Sequence, residues 1–257
     1  MPALSLRSRE VDLPEIMDGE CDPVLLERTY RRFAQVNALV SGWRQTYRRH
    51  IQPQLSTSRP TRLLDVGSGG GDLPRALIRW AILDGLRLEV VAIDPDPRAQ
   101  AFATGLPRYR GLTFRQAFTG DLVAEGETFD LVVSNHMLHH LSGAEFGALL
   151  ADSEALLGPA PRSLSGAQRP DPRSLSGAQR SRRVIHADIT RSTAAYVLFG
   201  IGPGMLFPRS YIRADGLTSI RRSFTPAELR TSVPEGWSVE PQSAFRYLLT
   251  HPGPRDV

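Results

Sequence analysis

Residues 65–72 read Asp-Val-Gly-Ser-Gly-Gly-Gly-Asp, and Leu63 and Leu64 lead into them. An apolar lead-in, an acid, alternating glycines at 67, 69 and 71, and a helical stretch from Leu73 to about Leu83 make a strand, a tight turn and a helix. Glycine lacks a Cβ, so such a turn lets a ligand approach the backbone closely. A dinucleotide turn would carry its third glycine at position 72. Asp72 stands there instead, and its carboxylate competes with a phosphate for the helix amides. A G-x-x-x-x-G-K-[ST] phosphate loop is excluded, because the chain contains no lysine. The turn therefore suits a ligand that lacks phosphates and carries a cationic amino group.

Further polar residues fall at the ends of apolar runs. Asp94 closes the run Leu88–Ile93, where a carboxylate can accept both hydrogen bonds of a ribose diol. Asp121 follows Leu112–Phe118, and Phe129–Asn135 is a further apolar run with a polar end. Histidines gather just beyond it, at 136, 139 and 140, and the first and second of these share a face if the segment is helical. His186 sits in the run 184–189, two residues before Asp188. Imidazole is the usual proton acceptor near neutral pH. A phenol, with a pKa of about 10, benefits from one at pH 7, although a phenolate can also react through orientation with no dedicated base.

In this order, over roughly residues 60–250, the segments resemble class I S-adenosylmethionine (SAM)-dependent methyltransferases. The family's glycine motif falls on Asp65–Gly71, its ribose acid on Asp94, its adenine-edge acid on Asp121, its fourth-strand motif on Phe129–Asn135 and its Leu-His-His-Leu run on Leu138–Leu141. The resemblance implies an α/β, Rossmann-like fold with a seven-stranded sheet in the order 3-2-1-4-5-7-6, the last strand antiparallel. It implies SAM as co-substrate, held by Asp65, Gly67, Ser68, Gly69, Gly71, Asp94, Pro95, Asp121, Leu122 and Asn135. Candidates for the catalytic base are His136, His139, His140 and His186. No metal is expected, because Asp188 alone makes no carboxylate cluster. Ser134-Asn135-His136-Met137 is no Asn/Asp-Pro-Pro-Tyr motif, which argues against methylation of base or glutamine amino groups.

More narrowly, Val11–Asp18, Ile93–Pro97, Ser134–Leu141 and Tyr247–Leu249 resemble quinone-biosynthesis-type methylases and bacterial methyltransferases associated with type III polyketide synthases. That resemblance implies O-methylation of a lipophilic phenol of secondary metabolism. The alternatives are C-methylation of a quinol ring, an RNA methyltransferase, and a SAM-binding module without catalysis.

The elements that must position these groups follow from periodicity. Asp22 and Pro23 open a helical stretch, with apolar residues recurring from Leu25 to Val40 and aromatics continuing to Tyr47. Residues 1–55 are thus expected as an N-terminal helical cap over the strand ends, and 56–257 as the SAM-binding domain. Ala194–Phe207 is unusually apolar and is expected to line a lipophilic pocket with the cap. Thr225-Pro226-Ala227-Glu228 opens a helix over 224–233, and strands are expected at 237–240 and 245–250. Pro161–Arg169 recurs as Pro172–Arg180, and this polar segment reads as a loop insertion over 159–183.

The single cysteine, Cys21, excludes an internal disulfide and fits a reducing cytoplasm. The first ten residues carry no apolar signal-peptide core, and no run of about 20 apolar residues spans a membrane. All basic residues are arginine, but acids are interspersed and the net charge is only +4, so a small-molecule acceptor is expected rather than nucleic acid. A homodimer is compatible with the sequence but not specified by it.

Overall fold

The computed structural model describes residues 6–158 and 182–253. The repeat-bearing insertion at 159–183 therefore lies outside the described residues, except for Arg182 and Arg183. Strands β1 (Thr61–Val66), β2 (Leu88–Ile93), β3 (Leu112–Arg115), β4 (Leu131–Asn135), β5 (Arg183–Ile189), β6 (Ser238–Ser243) and β7 (Arg246–Pro252) form a sheet in the order β3-β2-β1-β4-β5-β7-β6. β7 runs antiparallel to both β5 and β6, and the other neighbours pair in parallel. This is the order and strand direction that the resemblance implies.

Ten α-helices connect the strands among the described residues. They are α1 (Pro23–Val40), α2 (Trp43–Thr46), α3 (Asp72–Leu83), α4 (Pro97–Gly105), α5 (Thr119–Ala124), α6 (Gly143–Leu156), α7 (Thr193–Ile201), α8 (Pro203–Leu206), α9 (Ile212–Arg222) and α10 (Pro226–Ser232). Strand residues alternate between two buried faces, as a sheet covered on both sides requires. Leu64, Val132, Val184 and Leu249 pack with Phe146 and Leu150 of α6. Leu63, Leu131, Ile185 and Leu248 pack on the other side with Leu77 and Ile78 of α3.

The N-terminal helical stretch departs from expectation. Asp22 caps α1 by accepting from the backbone N–H groups of Val24 and Leu25. Gly42 then breaks the helix, with φ at 67°. Beyond the break, Trp43, Tyr47 and Ile51 are buried in the core beneath the sheet, beside Leu63 and Leu77. Only the part before the break reaches the strand ends.

Gly71 shows why the turn needs glycine. Its φ is +78°, and a Cβ there would lie 2.6 Å from the Phe114 ring and 3.4 Å from Ala103. It serves the packing of α3 on the sheet. We expect Gly71→Ala to destabilise the fold by about 1–3 kcal/mol, from left-handed strain and overpacking. Thermal unfolding should show a Tm lower by about 2–12 °C, at about 2–4 °C per kcal/mol for a chain of this size.

Candidate active site

β1, β2, β4 and β5 all end on one side of the sheet, and the loops after them enclose a cavity of about 1200 Å³. In open α/β sheets ligands bind at this end of the strands. Gly67, Ser68, Gly69 and Gly70 line it, with Asp94 and Pro95 beside them at the end of β2 and Asn135 and His136 at the end of β4. α1 is seated over them. Asn37 Nδ2 donates to Asp72 Oδ2 at 2.8 Å, and a Cβ on Gly70 would stand 3.0 Å from Tyr30 Cβ.

Asp65, the last acid before the turn, is 1% exposed, lines the cavity, and its Oδ2 makes no hydrogen bond. Burial raises its pKa well above the carboxylate range, and Asp72 and Asp94 add to the effect. A buried carboxylate among two others calls for a cation. The primary amine of SAM meets that need, so the site's donor set fits this co-substrate. Asp94 Oδ2 accepts from Gly69 N at 2.8 Å and its Oδ1 from Asp96 N at 2.9 Å, which fixes the carboxylate at the cavity edge.

Three of the residues expected to hold the co-substrate lie off the cavity wall. Asp121 is exposed and not on the cavity wall; it is the third residue of α5, and its Oδ2 accepts from Phe118 N at 2.8 Å. Leu122 is fully buried in the core. The part of this loop that lines the cavity is Ala117–Gly120, because α5 starts early enough to turn its own acid into a cap. Gly71 also lies off the cavity wall, for the packing reason given above.

The four candidate histidines separate clearly. His186 is 0% exposed; its Nδ1 lies 2.8 Å from Ser134 Oγ, its Nε2 3.2 Å from Ser153 Oγ, and its ring stacks on Trp237. It belongs to the core and not to the cavity, which removes it as a base. Burial lowers its pKa from 6.5 to about 3. An unfolded histidine titrates near 6.5, so below that pH the unfolded chain binds a proton that the folded chain refuses. Its stabilising contribution is complete above about pH 6.5 and falls by about 1.4 kcal/mol per pH unit toward pH 3. Urea unfolding at pH 7.5 and 5.5 should show this component, of about 1 kcal/mol, in the native chain and not in His186→Gln.

The other three follow β4. His136 and His139 do not share a helix face as expected: His136 has φ at 57°, and only Leu138–His140 form a short 3-10 turn. His136 Nε2 accepts from Arg246 Nη1 at 2.7 Å, so the lone pair of the neutral ring is engaged. Burial, followed by the Arg246 charge, lowers its pKa well below 6.5. His139 is 1% exposed, with Nδ1 2.9 Å from both oxygens of Asp188. Burial alone would lower its pKa, but Asp188 and Glu15 outweigh it and push it up to about 9. It is a cation at neutral pH in this environment and cannot take another proton. His140 lines the cavity with its side chain 30% exposed, and its Nδ1 lies 3.3 Å from Asp18 Oδ2.

Sequence reasoning gave no role to several wall residues. Glu15 and Asp18 flank a short 3-10 turn whose Ile16 and Met17 N–H groups donate to the Asp215 carboxylate. Burial would raise Asp18, but His140 and Arg222 outweigh it and hold it at about 2. Arg246, 4% exposed, donates to Asn135 Oδ1, His136 Nε2 and Gln242 Oε1. The one available signal was the acidic run Glu15-Ile-Met-Asp18 ahead of α1, but sequence distance hides its proximity to residues 139–140. Farther from the glycine turn the wall is apolar: Phe33, Val36, Val40, Leu198, Phe199 and Ile212.

Comparison with known proteins agrees with this geometry. The family described as "Methyltransferase domain" matches residues 63–160. The ubiquinone biosynthesis O-methyltransferase of Cereibacter sphaeroides is 36% identical over 83 residues, 32% of this chain and 31% of that protein. The match thus spans about a third of that relative's length. Human N-acetylserotonin methyltransferase, solved with SAM, superposes with a TM-score of 0.56 at 12% identity, covering 90% of this chain and 56% of that one. The plantazolicin methyltransferase BpumL with SAH gives 0.52 at 11% identity, over 89% and 86% of the two chains. Magnesium protoporphyrin IX methyltransferase from Synechocystis PCC 6803 with bound SAH gives 0.50 at 17%, over 92% and 90%. At these identities the solved structures establish the shared fold.

Proposed function

We propose that this chain, which carries a class I SAM-dependent methyltransferase domain, methylates the hydroxyl of a lipophilic, phenol-type small molecule. One observation carries the reading. One cavity wall carries Asp65, the glycine turn and Asp94 together with His140 and the apolar side chains of Phe33, Leu198 and Phe199. Ligand pockets commonly span about 300–1,000 Å³, so a volume of about 1200 Å³ leaves room for an acceptor beside a nucleoside.

SAM supplies a methyl group already activated by its sulfonium; the chain must align the acceptor oxygen, exclude water and remove a proton. Asp65 takes the amino group, Asp94 the ribose diol, and Ala117–Gly120 borders the base. Phe33, Leu198 and Phe199 hold the acceptor's apolar body out of water. Asp18 beside Nδ1 of His140 keeps a proton on that nitrogen and leaves Nε2 as the acceptor for the phenol proton. Glu15 Oε2, 3.8 Å from Nε2, stabilises the imidazolium that results. His136 and Arg246 hold Asn135 and the loop after β4 in place.

The test is incubation with methyl-labelled SAM and a panel of alkylphenols and quinols, read by mass spectrometry, with NMR of the product. A methyl ether on an alkylphenol supports the reading. Methylation on ring carbon, or no labelled product with any phenol, refutes it.

A further inference from the structure

The polar cluster at the mouth of the apolar chamber has the layout of a metal site. His139 Nε2 and His140 Nε2 both converge on the Glu15 carboxylate, at 3.3 Å from Oε1 and 3.8 Å from Oε2. These ligand atoms all lie within 4.8 Å of one another. Bonds of about 2.0–2.2 Å to one zinc-sized ion place ligand atoms about 3–4 Å apart, so small side-chain rotations close the shell.

Two further observations point the same way. His139 is 1% exposed, and Glu15 Oε1 at 3.3 Å is the partner that its Nε2 faces. Each imidazole also has a carboxylate on its other nitrogen: Asp188 at 2.9 Å from His139 Nδ1, and Asp18 at 3.3 Å from His140 Nδ1. A carboxylate behind each histidine is the usual outer shell of a metal-bound imidazole, where it fixes the tautomer and turns Nε2 toward the ion.

We propose that Glu15, His139 and His140 form a three-ligand site for a divalent ion of the zinc type, with its open position facing the acceptor chamber. Two imidazoles and one carboxylate suit zinc or cobalt better than magnesium, which prefers an oxygen shell. Three protein ligands and one open position are the pattern of a catalytic rather than a structural site. The inference rests on the proposed function only for its purpose: with the ion bound, His140 Nε2 is a ligand and no longer the proton acceptor, and the ion instead holds and polarises the phenol oxygen; binding itself is measured without acceptor.

The experiment uses the full chain without an affinity tag, stripped with chelator and titrated with zinc chloride by calorimetry. One equivalent should bind, and Cys21→Ser should bind as the native chain does. His140→Ala and Glu15→Gln should each weaken binding at least about 100-fold, and Asp18→Asn about 10–100-fold, with unchanged circular dichroism. Cobalt(II) should give visible absorption bands that His140→Ala abolishes. Absence of saturable zinc binding, or equal affinity in His140→Ala and Glu15→Gln, overturns the site. Phenol methylation that persists after chelation, in a chain that binds no zinc, refutes the metal and leaves the acceptor reading standing. Stoichiometric zinc without methylation of any phenol does the reverse.

Discussion

Asp94→Ala is expected to weaken SAM binding by about 100-fold, measured by titration calorimetry on a chain whose circular dichroism is unchanged. The carboxylate sits where β2 ends, anchored by N–H donors from Gly69 and Asp96. Each of its oxygens can accept a second bond, and a ribose diol supplies two donors at matching spacing. Hydrogen bonds to a charged group contribute about 1.5–3 kcal/mol each. Part of that is offset because burial raises this acid, while the two backbone donors pull it back down. A net loss of about 2.7 kcal/mol corresponds to the 100-fold change. Asp94→Asn keeps the shape and one acceptor, so it should fall between. Unchanged affinity in the alanine variant would remove Asp94 from the ribose site.

His140→Ala is expected to lower kcat by about 10²–10⁴-fold, the usual contribution of a positioned proton acceptor. The loss is read as kcat at saturating SAM, because His140 also acts on the Asp94 carboxylate. The structure sets this residue apart from its neighbours. His139 is held as a cation by Asp188 and Glu15, His136 has its lone pair on Arg246, and His186 is locked in the core between two serines. A kcat within about threefold of the native chain would eliminate His140 and shift attention to orientation alone.

The end of the cavity proposed to hold SAM is legible because local sequence encodes it. Asp65, the glycines and Asp94 lie at strand ends, and a strand end can be read from where an apolar run stops. Asp121 failed for a related reason. The run Leu112–Phe118 suggests a longer strand than the β3 that forms, so the acid was placed at a strand tip when it caps a helix. His186 failed because alternation along a buried strand does not say which face meets the cavity. The apolar run 194–207 was correctly singled out as unusual, and the fold puts Ala195, Leu198 and Phe199 on the cavity wall.

By itself the sequence determined the glycine turn, the acids at the ends of its apolar runs and the absence of a phosphate loop, since each depends on residues within one strand-turn-helix unit; the strand order came only through the family resemblance. Only the tertiary structure decided what faces the acceptor. Glu15 and Asp18 meet His139 and His140 across more than 120 positions of chain, through a segment held by Asp215 and Arg222. The ionisation and the free lone pair of each histidine follow from those distant partners. Chemistry set by contacts between remote segments leaves no local pattern to read.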